Sequence, residues 1–203
     1  MVAGTLGILV AGGRGTRLSL GVPKALAPFA GTTLLERALA TLRAVCDEVV
    51  VCAPRGLELP LEGASRADDP DGAAGPLAGL VAGLGARPFT AALALGVDLP
   101  LVTPGVLRAL RELLADHAAL VPAPGGRPQP LAAWYAPSAD APLAAALARG
   151  ERALVPAVLA LPARIADDAD LASAGAEANT FLNVNTPGEM ALAERLARPG
   201  AAA

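Results

Sequence analysis

Aromatic side chains are scarce in this chain, which has three Phe, one Trp and one Tyr among 203 residues. Its core must therefore be filled by Leu, Val and Ala, and with 54% apolar residues it can be. The length suits one sizeable domain rather than two. Cysteine is just as sparse. Cys46 and Cys52 lack the spacing of a metal-ligand or redox pair, which excludes a zinc site and a disulfide framework and fits a reducing cytoplasm. The one histidine, His117, sits beside Asp116 where a helix should close, and reads as a C-terminal helix residue rather than a catalyst. Positive charge is in deficit: 16 Lys and Arg face 19 Asp and Glu, so the net charge of -3 offers no basic surface for a nucleic acid. No apolar run approaches the roughly 20 residues that span a bilayer. The segment Met1 to Val10 has no basic start and runs into a glycine turn, unlike a signal peptide. A cytoplasmic, soluble protein without a membrane partner is expected.

What the chain does have is alternation of apolar runs and helical patterns. Thr5 to Ala11 reads as a buried strand closed by Gly12 and Gly13. Thr33 and Glu36 form a capping-box pattern ahead of Leu34, Leu35, Ala38, Leu39 and Leu42, predicting a helix to about Val45. Val49 to Ala53 is a second buried strand. Pro76 opens a helix through Leu84, and Thr90 to Val97 is the next strand, ending at Asp98 and Pro100. Thr103 and Pro104 start a helix carrying Val106, Leu107, Leu110, Leu113 and Leu114, followed by a strand over Ala119 to Pro122. Further on, Leu131 to Tyr135 reads as a strand and Ala139 to Arg149 as a helix. Asp167 to Asn179 reads mainly as loop, Phe181 to Val184 as a late strand, and Thr186-Pro187 as a helix start. This alternation predicts an α/β fold, a three-layered, Rossmann-like, doubly wound and mostly parallel sheet. One domain over 1–198 is expected, with a frayed tail from 199 to 203.

Chemistry concentrates in Val10-Ala11-Gly12-Gly13-Arg14-Gly15-Thr16-Arg17 and the following Pro23-Lys24. Glycines let the backbone approach an anion and point N–H groups at it, while Arg14, Arg17 and Lys24 supply positive charge. A phosphate cradle at the carboxyl end of a parallel strand is the reading. A Walker loop would need Gly-Lys-Ser/Thr at its end, and a dinucleotide fingerprint a third glycine where Leu18 stands. Asp98 ends an apolar strand at the edge that faces the ligand crevice in open α/β sheets. A hard carboxylate beside triphosphate oxygens is what Mg²⁺ prefers, so Asp98 is the expected metal ligand. Trp134 and Tyr135 read as core. Asp69 and Asp71 read as solvated loop carboxylates, and the two cysteines as small buried fillers.

The run from Val10 to Glu36, with Leu-Val-Ala-Gly-Gly-Arg, Pro-Lys-Ala-Leu and Leu-Leu-Glu-Arg-Ala-Leu, resembles nucleotidyltransferases of the nucleotide-diphospho-sugar transferase fold. Gly75-Pro76-Leu77-Ala78-Gly79-Leu80, Asp98-Leu99-Pro100 and Asn183-Val184-Asn185-Thr186-Pro187 are most similar to the molybdenum cofactor guanylyltransferases. That resemblance implies transfer of GMP from GTP to the phosphate of molybdenum-bearing molybdopterin, giving the guanine dinucleotide and pyrophosphate with Mg²⁺ as cofactor. Position by position, it implies nucleotide contacts at Val10, Ala11, Gly12, Gly13, Arg14 and Cys52, with Asp68 at the nucleoside and Lys24 at the phosphates. Asp98 would meet both nucleotide and metal, and Gln129, Asn183 and Asn185 would lie near the acceptor, Asn185 alternatively at the metal. Lys24, Arg17 and Asp98 form the expected catalytic set. A monomer or weak homo-oligomer is expected, with a molybdoenzyme or chaperone as recipient. Two positions depart from the family pattern: Pro23 stands where Asp is more usual, and Cys52 where an Asn is. Cytidylyl or uridylyl transfer to a sugar phosphate, an alcohol phosphate or molybdopterin remains the alternative activity, and a nucleotide-binding regulatory module the alternative without turnover.

Overall fold

A computed structural model of the chain describes residues 3–12 and 21–198. The central strand β1, Thr5–Val10, is buried along its whole length. It alternates faces: Leu6, Ile8 and Val10 enter one apolar cluster while Leu9 enters the other. Strand β4, Glu48–Ala53, and β6, Ala91–Gly96, flank it in parallel, with Ile8 opposite Val50 on one side and Ala94 on the other. Strands covered on both faces by helices need apolar residues at every position, so these runs are continuous in the sequence.

A two-stranded ribbon, β2 (Pro28–Phe29) and β3 (Thr32–Thr33), leads into helix α1, Leu34–Arg43. Both halves of the predicted capping box are present: Glu36 N–H donates to Thr33 Oγ1 at 3.1 Å, and Thr33 N–H donates to Glu36 Oε2 at 2.7 Å. Helices α2, Pro76–Leu84, and α3, Pro104–Arg111, begin at the prolines the sequence singles out. Gly83 lets α2 lie close on β1, since a methyl there would collide with Ile8. The predicted continuation of α3 through Leu113 and Leu114 is a turn instead, yet Leu114 stays buried.

The remaining strands are β5 (Ser65–Asp68), β7 (Ala119–Pro122), β8 (Ala132–Tyr135) and β9 (Ala163–Ala166). The seven-stranded sheet has the order β5-β4-β1-β6-β8-β7-β9, parallel except for β8, which runs antiparallel to both its neighbours. Helices α1, α3, α6 (Asp168–Ser173) and α7 (Pro187–Ala197) cover one face, and α2, α4 (Asp140–Ala148) and α5 (Leu154–Leu159) the other. The expected three-layered, mostly parallel α/β sheet is what forms.

Two expectations are corrected. Asp167 to Asn179 is not all loop, because Asp167 accepts from Ala169 N–H and Asp170 N–H at 3.0 Å each and so caps α6. Phe181 to Val184 is no strand: Val184 N–H donates to Asp98 O at 2.9 Å, and Phe181 and Val184 are buried, making the segment an extended strap across the end of β6. Trp134 and Tyr135 are core residues, with Nε1–H donating to Leu107 O and the phenol to Pro130 O, each at 2.8 Å. No helix among the described residues is long and apolar enough to cross a membrane. The expected frayed tail, 199–203, lies outside the described residues.

Candidate active site

Because β1 and β6 are paired in parallel with Val10 opposite Gly96, their carboxyl ends open on one edge of the sheet. Asp98 stands two residues past β6. Lys24 arrives from a 3₁₀ turn, Lys24–Leu26, placed after Pro23. The strap before α7 brings Asn185. Lys24 Nζ donates to Asp98 Oδ2 at 3.1 Å and to Asn185 Oδ1 at 2.7 Å, joining positions 74 and 161 residues apart in sequence. Lys24 is only 7% exposed, so its ammonium is held by these two oxygens rather than by water. An ammonium has three donors, of which two are engaged here.

Gly96 is part of the same construction. A methyl at Gly96 would run into Asp98 Oδ1, so the glycine keeps room for the carboxylate. Asn185 is held in turn by Glu189 on α7, whose Oε2 accepts from Asn185 N–H and Thr186 N–H at 2.8 Å each. The Glu189 carboxyl is held below its ordinary range, first by the Asn185 N–H, then by Thr186 and the nearby Lys24 charge against an opposing cost of desolvation.

A cavity of about 130 Å³ opens beside Lys24 and Asp98, walled by Val10, Gly12, Gly75, Pro76, Val97 and Leu131 as well. Gly75 takes a φ of 100°, which an L side chain rarely adopts, and turns the chain into the first residue of α2. The amino end of α2 thus faces the cavity, adding the partial positive charge of its open N–H groups. Ala11 is wholly buried and its N–H donates to Cys52 O at 2.8 Å, so it ties β1 to β4 and has no amide left to offer an anion. The cradle's remaining expected residues, Gly13 and Arg14, and the catalytic candidate Arg17, lie outside the described residues.

Next to the cavity, α2 packs on β4 and β5. Cys52, placed by sequence against the nucleotide, is 0% exposed in the apolar layer with Val10, Leu77 and Leu80. Burial, and secondarily the charge of Asp69, push its thiol up to about 12. Its side chain backs the wall and is not a ligand group. Asp68, the expected nucleoside contact, ends β5 exposed and ion-paired to Arg66 at 2.6 Å. Asp69 is the reverse of the solvated residue the sequence suggests: it is 8% exposed. Its carboxylate lies beside Gly79 and Cys52, and it makes no side-chain hydrogen bond among the described residues. Burial, and then the like charge of Asp68, raise its carboxyl above the ordinary range. Asp71 is exposed as expected, paired with Arg55. A clue to Asp69 exists in the sequence: Gly79 and Gly83, one turn apart on α2, mark a helix face with no side chains of its own, against which neighbouring groups can close.

Of the acceptor candidates, Asn183 Nδ2–H donates to Gln129 Oε1 at 3.3 Å, while Asn185 belongs to the Lys24 cluster. Among the described residues no group of three or more His, Cys, Asp or Glu side chains could hold a metal. Magnesium does not require one, since one or two protein oxygens with phosphates and water complete its shell. Asp98 keeps Oδ1 outside its contact with Lys24, a hard oxygen of that kind, so this end of the site fits Mg²⁺.

Residues 7–163 match the family described as MobA-like NTP transferase domain. The chain belongs to this family of nucleotidyltransferases. It is 35% identical over 192 residues to a probable molybdenum cofactor guanylyltransferase of Chloroflexus aggregans, covering 93% of this chain and 92% of that one. Among solved structures, molybdopterin-guanine dinucleotide biosynthesis protein A of Archaeoglobus fulgidus superposes with a TM-score of 0.77 at 26% identity, covering 95% of this chain and 97% of that one. The 2-C-methyl-D-erythritol 4-phosphate cytidylyltransferase of Thermus thermophilus superposes with a TM-score of 0.70 at 25% identity, over 97% and 100% of the two chains.

Proposed function

We propose that this enzyme transfers GMP from GTP to the phosphate of molybdenum-bearing molybdopterin, forming the guanine dinucleotide and releasing pyrophosphate. The observation that carries the reading is the convergence of Lys24, Asp98 and Asn185 at the edge where Val10, Gly12 and the start of α2 wall the cavity. Attack of an anionic phosphate oxygen on the α-phosphorus, with pyrophosphate leaving, demands placement and neutralisation of growing negative charge more than covalent help. Lys24 holds a proton-bearing charge at the phosphates. The end of α2 adds partial positive charge, and the excluded water around a 7% exposed ammonium strengthens both. Asp98 would hold Mg²⁺, which when bound supplies a Lewis acid for the phosphate oxygens. Gln129 and Asn183, already paired, would meet the acceptor.

The guanine assignment rests on Asp69 together with the 35% identical relative. A carboxylate with no protein donor among the described residues would suit the two neighbouring N–H donors of guanine's pairing edge, whereas cytosine and uracil turn at least one acceptor to it. A cytidylyl transfer is the second reading, favoured by the fold shared with the Thermus enzyme. Purified protein with Mg²⁺, molybdenum-loaded molybdopterin and each nucleoside triphosphate in turn separates them by pyrophosphate release. Turnover with GTP alone is expected; turnover confined to CTP or UTP would reject the guanine assignment. Nucleotide binding with no pyrophosphate from any acceptor, unaffected by Asp98→Asn, would reject the enzyme itself in favour of a regulatory module.

A further inference from the structure

We propose that Glu189 is a positioning residue for the transfer site, acting through the backbone of Asn185 to keep that residue's amide oxygen on the Lys24 ammonium. The molecule contains its own control for this. Two of its helices begin with a complete capping box, α1 with Thr33 and Glu36 and α7 with Thr186 and Glu189. Glu36 serves its helix only, accepting from the N–H and hydroxyl of Thr33. Glu189 reaches one residue further: the same Oε2 that accepts from Thr186 N–H also accepts from Asn185 N–H, at 2.8 Å each. That additional bond falls on the residue whose side chain touches Lys24 at 2.7 Å.

The strap is therefore pinned on both sides of Asn185, by Val184 N–H on Asp98 O before it and by Thr186 N–H on Glu189 after it, with Asn185 N–H on the same carboxylate. Backbone pinned before and after a residue fixes the direction of its side chain. Lys24 in its turn has no partner but Asp98 and Asn185 among the described residues, so a swing of Asn185 redirects the ammonium. A helix cap thus doubles as a support for the phosphate cation. The proposal rests on Lys24 acting at the nucleotide phosphates, but its structural half does not.

The experiment compares full-length Glu189→Ala, Glu189→Gln and Thr186→Ala with the unaltered protein in three measurements. These are the ligand-free crystal structure, thermal stability, and kcat and KM for GTP from pyrophosphate release. Thr186→Ala removes the other half of the cap and should lower thermal stability while leaving kcat and the 2.7 Å Lys24–Asn185 contact in place. Glu189→Ala should lower kcat about 10-fold or more at a similar thermal cost, because small misplacements of a catalytic group carry losses of that size. It should also lengthen the Lys24–Asn185 contact. Glu189→Gln keeps an oxygen acceptor for both N–H groups and should recover most of kcat. The proposal is overturned if the contact survives in Glu189→Ala, if Thr186→Ala loses as much kcat as Glu189→Ala, or if Glu189→Gln is as impaired as Glu189→Ala. Should the unaltered protein turn over no nucleotide, the enzymatic reading fails and the crystallographic comparison still decides the positioning claim.

Discussion

The two sides of the proposed nucleotide site keep their carboxylates in opposite ways. On one, Asp98 is joined to Lys24 at 3.1 Å, and the lysine to Asn185 at 2.7 Å, a set drawn from three distant stretches of chain. On the other, Asp69 is 8% exposed, has no donor among the described residues, and has Asp68 as its neighbour in sequence. A buried charge without a partner destabilises a fold, whereas a paired and hydrogen-bonded one is tolerated. The first wall is thus organised by the protein itself, before any substrate arrives. The second has no such partner among the described residues. Transfer chemistry gains from groups already in place, since nothing then has to reorganise as charge develops. Recognition gains from a group that is costly to leave unmatched, because the wrong ligand leaves that cost standing.

Removing the cation of the organised wall should have the largest effect. Lys24→Ala deletes the one ammonium held between Asp98 and Asn185, and kcat/KM for GTP should fall about 10³-fold, the scale seen when a key cation leaves a phosphoryl-transfer site. A loss below 10-fold, measured by pyrophosphate release, would mean that the phosphates are met elsewhere and that the paired wall is merely structural. Gly96→Ala sharpens the comparison from the backbone side. The new methyl collides with Asp98 Oδ1, and because that atom ends a rotatable side chain, the carboxylate turns away instead of the sheet breaking. Activity should drop on the order of 10²-fold with thermal stability nearly unchanged, as expected for a displacement near 1 Å at a reacting centre. Full activity in Gly96→Ala would show that the orientation of Asp98 is unimportant.

The sequence exposes the organised wall far more readily than the other. Strands β1, β4 and β6 are sandwiched between helices and so are written as unbroken apolar runs, and the caps at Thr33, Thr103 and Thr186 announce the helices after them. Each of Lys24, Asp98 and Asn185 stands next to such a signal. Their mutual distances do not, because those come from strand order, which brings β1 beside β6 across the intervening β4 and β5. β5 is an edge strand of Ser-Arg-Ala-Asp with no apolar period, so nothing in its sequence tells which of Asp68 and Asp69 turns inward. α5, β9 and α6 are only four to six residues long, and are recognisable only once they pack. The antiparallel sense of β8 is equally silent, since Ala-Ala-Trp-Tyr reads alike in either direction.

Asp69→Asn tests the incomplete wall, and its effect on turnover should be the smallest of the three, a loss of roughly 10-fold in kcat/KM for GTP, the scale of a contact that discriminates rather than reacts. Its stronger signature is a gain. Burial raises the folded-state pKa of Asp69, so the native protein is favoured while the carboxyl is protonated and loses stability as pH rises and the group must ionise in place. An asparagine never ionises and escapes that loss. The variant should therefore melt at a higher temperature than the parent at neutral pH, and the gap should close as pH falls below the ordinary carboxylate range. The same substitution should narrow the preference for GTP over CTP. A variant that is less stable at neutral pH would mean that Asp69 already has a donor in solution, and the contrast between a finished wall and an unfinished one would disappear.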